Sequence, residues 1–108
     1  MSNPLSQGKV TEVISSIGIA TIEFEHPMSN SLPANLLTKL TEAITKAGNN
    51  DLVKVVVLKS AGQRAFCGGA SFEELASIED LDEGKRFFSG FANVINAARK
   101  CPKLIIGR

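Results

Sequence analysis

Between Lys9 and Glu25 the apolar positions recur at short intervals. Val10, Val13 and Ile14 lead to a polar bend at Ser15-Ser16 with Gly18 just beyond, and then Ala20, Ile22 and Phe24 alternate with Ile19, Thr21, Glu23 and Glu25. A period of two belongs to a strand with one more buried face, so this stretch predicts two strands joined by a hairpin and paired antiparallel. The period then lengthens. Leu32, Leu36, Leu37, Leu40, Ala43, Ile44 and Ala47 recur at three- and four-residue steps and predict an amphipathic helix, with Pro33 in its first turn and Gly48-Asn49-Asn50 as its stop. Val53 to Leu58 is apolar except for Lys54 and reads as a central strand covered on both faces. Phe87, Phe88, Phe91, Val94, Ile95 and Ala98 have helical spacing and are expected to face the core, while Leu104 to Ile106 reads as a buried strand. The polar stretch Met1 to Gly8, with Pro4, is expected to be a loose arm. Helices alternating with strands after a hairpin make an α/β chain.

The joint between the strand Lys54 to Lys59 and the next helix, Gln63 to Leu75, carries the candidate chemistry. Gly68 and Gly69 lack a Cβ, so the backbone can take a positive φ there or be approached closely. Ser71 and Glu74 have capping-box spacing: the hydroxyl can accept from the Glu74 amide while the carboxylate reaches back to the Ser71 amide, which starts a helix at Phe72. Amides ahead of a helix N-terminus suit a carboxylate, a phosphate or a developing oxyanion. The plainer alternative is that Gly-Gly merely turns the chain.

His26, the single histidine, is read as a polar surface residue rather than a catalytic one, and it has no neighbours that would make a metal site. Cys67 precedes a helix and is weighed as a reactive thiol against a small packing residue, with packing preferred. The acidic run Glu79, Asp80, Asp82 and Glu83 is expected to face solvent.

The 108 residues allow one small domain, and 12 Lys+Arg against 11 Asp+Glu leave no basic stripe for nucleic acid. No apolar run reaches membrane-spanning length, and no signal peptide is legible. Two cysteines without close spacing, Cys67 and Cys101, point to free thiols in a reducing, cytoplasmic compartment.

Phe66-Cys67-Gly68-Gly69-Ala70-Ser71-Phe72-Glu73-Glu74-Leu75, after the strand Val55-Val56-Val57-Leu58, resembles the first signature of the crotonase superfamily, the enoyl-CoA hydratases and isomerases. Its members show F-C/A/S-A/G-G-A-D at this place. The family aspartate falls on Ser71, another good N-cap. His26-Pro27 and Asn30-Ser31-Leu32 stand where members have N-R-P and N-A-L before the first amphipathic helix, and Cys101 to Ile106 resembles the segment that follows.

The resemblance implies the N-terminal part of a crotonase-like ββα superhelix, with residues 9–108 as an incomplete domain truncated before the second oxyanion-hole segment and the catalytic carboxylates. It implies an acyl-CoA thioester as substrate, coenzyme A as part of that substrate rather than a cofactor, and no metal. It places the oxyanion-hole amide on Gly68, with substrate contacts from Met28, Ser29, Asn30, Phe66, Cys67, Gly69, Ala70 and Ser71. The acyl-CoA account rests on the Gly68 N–H, and it would lose its footing if that hydrogen were already engaged by a carbonyl of the chain itself in a closed turn. Phe87 and Phe88 are alternative acyl-pocket residues, and Glu73 and Glu74 are weighed as catalytic and set aside as helix-start carboxylates. The expected function is that of an enzyme fragment inactive alone, its parent a hydratase; the alternative is a non-catalytic coenzyme A-binding or assembly module. Self-association or a complementary C-terminal segment is the expected partner, besides the acyl-CoA.

Overall fold

The computed structural model describes residues 8–63 and 65–108. Residues 1–7 of the arm expected over Met1 to Gly8, and the residue at position 64 in the central loop, lie outside them. The element order is β1 (Lys9–Ile14), β2 (Ile19–Glu25), α1 (Ala34–Gly48), β3 (Val55–Ser60), α2 (Phe72–Ala76), α3 (Leu81–Lys100) and β4 (Leu104–Gly107).

The strands form one sheet in the order β1-β2-β3-β4. The β1–β2 hairpin is antiparallel, in the register Val10 opposite Phe24 and Val13 opposite Thr21. β3 lies parallel to β2, with Val56 opposite Ala20, and β4 parallel to β3, with Ile105 opposite Val56. Parallel neighbours need a crossover; α1 supplies the first, α2 and α3 the second. Mixed α/β architecture with a leading hairpin is thus as the sequence predicts.

Ala20, Ile22, Phe24 and Val56 point to one face of the sheet and are buried against Leu36, Leu37, Leu40 and Ile44 of α1. This is the core. Gly90 lets α3 lie close on α1: a Cβ there would sit 3.0 Å from Leu37 Cδ1. The glycine that weakens the isolated helix is therefore what allows the two helices to pack.

Several expectations need correction. The central strand is covered on one face only among the described residues. Its outer face carries the rows Ile19–Val55–Leu104 and Val13–Thr21–Val57–Ile106, in which Val13 (67 %), Leu104 (66 %) and Ile106 (47 %) are exposed. Of the predicted buried strand 104–106, only Ile105 packs on the core. Along α3, Phe87 is buried and Phe91 and Val94 touch the core, but Phe88 and Ile95 are exposed. A single helix contact line cannot hold a stripe as wide as six apolar positions. Gly8, the last residue of the expected arm, has φ +96, and its Cα faces the Glu25 carbonyl so closely that a Cβ would approach the oxygen to 2.7 Å.

The acidic run stays at the surface, yet it also starts α3. Asp80 Oδ1 accepts from the Glu83 amide at 2.8 Å, and Glu83 Oε2 accepts from the Glu79 amide at 3.0 Å. Among the described residues no helix is long and apolar enough to cross a membrane.

Candidate functional site

The loops after β2 and β3, residues 26–33 and 61–71, lie side by side at the carboxyl ends of two parallel strands, where open α/β sheets place their ligands. Asn30 joins them. It adopts φ +58, a conformation that asparagine tolerates better than most residues, and it is buried. Its Oδ1 accepts from the His26 amide at 2.9 Å. The two hydrogens of its Nδ2 face three acceptors, Ala61 O (2.7 Å), Ser60 Oγ (2.9 Å) and, as the longest and shared contact, Ala65 O (3.2 Å). Ser60 Oγ in turn donates to Phe66 O. One side chain thus ties the end of β2 to the end of β3 and to the start of the Gly-Gly loop.

The loop 28–31 is a tight reversal. Ser31 N–H donates to Met28 O at 3.1 Å, with Ser29 and Asn30 both at positive φ, as a type I′ turn requires. The Met28 amide donates to His26 Nδ1 at 3.1 Å, so that nitrogen is the unprotonated one. His26 is buried, not a surface residue, and it braces this turn.

Gly68 N–H donates to Asn30 O at 3.1 Å. This corrects the assignment of the oxyanion donor to Gly68, because that hydrogen is already engaged by the chain's own carbonyl. Gly68 is needed for another reason: a Cβ there would lie 2.7 Å from the Ser29 carbonyl oxygen. Gly69 is needed for its φ of +85. Its amide turns to Cys67 Sγ at 3.3 Å, and its carbonyl accepts from Leu32 N–H at 2.8 Å.

That last bond decides where the next amide points. In a trans peptide the C=O and N–H are opposed, and no cis peptide occurs among the described residues. With Gly69 C=O turned to Leu32, the Ala70 N–H is turned away from the neighbouring segment. No acceptor among the described residues takes it.

The other predicted contacts divide. The amides of Met28 and Asn30 are committed to the chain's own turn, which, among the described residues, leaves the Ser29 amide as the uncommitted donor of residues 28–30. Phe66 is part-exposed and stands edge-on to Phe24, with ring centroids 5.4 Å apart. Cys67 is exposed, which overturns its reading as a packing residue. Ser71 is buried and caps α2 by accepting from Glu74 N at 3.3 Å. The reciprocal half of the capping box is absent. Glu74 instead accepts from Ala34 N–H, at 3.0 and 3.2 Å to its two oxygens. Phe87 is core, and Phe88 lies exposed on α3.

Known proteins share both the sequence pattern and this architecture. The enoyl-CoA hydratase/isomerase family profile matches residues 15–108. The chain belongs to that family. A (7aS)-7a-methyl-1,5-dioxo-2,3,5,6,7,7a-hexahydro-1H-indene-carboxyl-CoA hydrolase of Mycobacterium tuberculosis is 28% identical over 92 residues, 85% of this chain and 33% of the relative. A hydrolase of the same name from Rhodococcus jostii is 26% identical, over 85% of this chain and 31% of its own length. Among solved structures, an enoyl-CoA hydratase/carnithine racemase from Magnetospirillum magneticum superposes with a TM-score of 0.81 at 25% identity, covering 91% of this chain and 37% of that one. An enoyl-CoA hydratase from Mycobacterium smegmatis, at 24% identity and a TM-score of 0.83 over 91% of this chain and 38% of its own, shares the fold. The chain spans about a third of the length of the curated relatives it matches.

Sequence reasoning did not find the network of Asn30, Ser60 and Glu74 around the loop. The available signal was Asn30-Ser31-Leu32 ahead of a helix, where the resemblance implied a substrate contact from Asn30 and not a brace between loops. The partner atoms come from 30 to 40 positions away in the chain, and no local pattern records them.

Proposed function

We propose that this chain binds an acyl-CoA thioester and polarises its carbonyl through the Ala70 N–H, the step by which an enolate oxygen is stabilised as charge develops. The observation that carries this reading is the orientation of the 69–70 peptide, its carbonyl held by Leu32 and its N–H turned away from that segment. Membership of the enoyl-CoA hydratase/isomerase family supports the substrate class, and the names of the curated relatives likewise specify carboxyl-CoA compounds. Hydration of a 2-enoyl-CoA is the first reading of the parent reaction. Hydrolysis of a carboxyl-CoA is the second, favoured by those two relatives.

Proton transfer needs an acid–base group near the reacting carbon. Glu74 is committed to the Ala34 amide and Glu73 is read as a first-turn carboxylate of α2, so we assign this chain binding and carbonyl polarisation without turnover. Calorimetric titration with crotonyl-CoA and a coupled hydration assay test this. Binding without hydration is the expected result, and turnover by this chain contradicts the assignment. Ala70→Pro, which deletes the N–H, is expected to weaken crotonyl-CoA binding about tenfold, the equivalent of one good hydrogen bond, and to leave binding of coenzyme A unchanged. Equal affinity of both proteins for crotonyl-CoA would count against the Ala70 donor.

The exposed apolar rows on the outer face of the sheet support self-association through that face. Sedimentation should report a species larger than a monomer; a monomer at all concentrations would contradict it. The free thiols Cys67 and Cys101 fit a reducing compartment such as the cytoplasm.

A further inference from the structure

Four successive points of the loop leading to Ala70 are held by hydrogen bonds, and three of the four lead to Asn30. Ala65 O lies 3.2 Å from Asn30 Nδ2 and 3.4 Å from Ser60 Oγ, sharing their hydrogens with other acceptors. Phe66 O accepts from Ser60 Oγ, which itself accepts from Asn30 Nδ2 at 2.9 Å. Gly68 N–H donates to Asn30 O at 3.1 Å. Only the fourth, Gly69 O on Leu32 N–H, is independent of Asn30.

The amide of Asn30 has a settled orientation, since its oxygen faces an N–H donor and its nitrogen faces two carbonyls. No other amino acid of that size offers both an acceptor and donors while adopting a positive φ readily. Its side chain reaches no open crevice: it is enclosed by the chain's own loops.

We propose that Asn30, acting with Ser60, is a positioning residue that holds the loop 65–68 and so places the Ala70 N–H where it can meet a thioester oxygen, while the Leu32 bond to Gly69 O sets the direction of that peptide. This rests on the Ala70 reading above. The network lies at the carboxyl ends of β2 and β3, beside the Phe24 and Leu32 end of the core, so positioning is separated from a purely structural role by comparing two ligands rather than by folding alone. A hydrogen bond weakens steeply as its angle departs from linear, so a tilt of the 69–70 peptide lowers affinity for a carbonyl and leaves contacts to the rest of the ligand alone.

The test compares crotonyl-CoA with its thioether analogue, which has a methylene in place of the carbonyl. Affinities are measured by calorimetry for the wild-type chain, Asn30→Asp, Ser60→Ala and Ser60→Thr, with circular dichroism to establish folding. Asn30→Asp keeps the acceptor for His26 and removes both donors. The wild type should prefer the thioester by about three- to tenfold, the range of one hydrogen bond. Asn30→Asp and Ser60→Ala should lose most of that preference with the thioether affinity unchanged, and Ser60→Thr, which keeps the hydroxyl, should restore it. A preference left intact in the folded variants, or an equal loss for both ligands, overturns the positioning role. If Asn30→Asp does not fold, the Ser60 pair decides. Absence of any thioester preference in the wild type overturns the Ala70 reading itself, and the positioning role with it.

Discussion

The Glu74 carboxylate sits across the first amide of α1, with Ala34 N at 3.0 Å from one oxygen and 3.2 Å from the other. The N-cap position of α1 is Pro33, which has no side chain able to cap, and the structure gives the helix no side-chain cap there. The missing acceptor is supplied from α2, forty positions along the chain. An anion at a helix N-terminus is favoured by the orphan amides and by the dipole, and here the same carboxylate fastens the loop that carries Ala70 to the helix that carries the core.

Glu74→Gln should therefore cost about 0.5–2 kcal/mol, the range of a lost or weakened cap, and Glu74→Ala should cost as much or more. Urea denaturation checks both. Indistinguishable midpoints for Glu74→Ala and the wild type would mean that water replaces the carboxylate at no cost.

The two central glycines are predicted to fail for different reasons. Gly68→Ala drives a methyl into the Ser29 carbonyl at 2.7 Å, and relief requires the 28–31 turn to move. We expect about 1–3 kcal/mol of destabilisation, typical of a forced overpacking. Gly69→Ala meets no atom within 4 Å and pays only for its φ of +85, about 1–2 kcal/mol. Gly69→Asn should recover part of that loss, because asparagine tolerates the left-handed region; Gly68→Asn should not. Thermal unfolding of the four variants distinguishes the two mechanisms.

Phe87 and Phe88 are neighbours in sequence and edge-on to each other, with centroids 5.1 Å apart, yet one is 4 % and the other 54 % exposed. Phe87→Ala should cost about 3–5 kcal/mol as a core truncation, enough to unfold a chain of marginal stability. Phe88→Ala should stay within about 1 kcal/mol, as surface positions do. Comparable losses at the two positions would show that Phe88 is covered in solution.

The pair Lys59 and Glu23, 3.5 Å apart on the outer face of the sheet, is part-exposed at both ends. A double-mutant cycle to alanine should give a coupling below about 1 kcal/mol, falling further in high salt. A larger, salt-resistant value would indicate that this face is buried.

The period-two stretch of β1 and β2, the helical run of α1 and the Ser71 N-cap are all legible in the order of residues alone, because each depends on residues within a few positions of one another. So is the family, through Phe66 to Leu75 and the segments around it. The sequence also required glycine at 68 and 69, without saying which would be crowded by Ser29 and which would turn.

What the tertiary structure decided is where the hydrogens point. Whether an amide at position 68 or 70 is available depends on the carbonyl of Asn30 and the amide of Leu32, which reach the loop only once β2 and β3 lie parallel and their ends are level. Glu74 was legible as a helix-start carboxylate, but whether it would serve Ser71 or Ala34 depended on how close α1 came. Likewise Phe88 and Phe87 carry the same side chain, and only the crossing of α3 over α1 at Gly90 chose between them. Local propensity acts over one or two turns of chain, whereas hydrogen-bond direction and burial are properties of surfaces that meet in space.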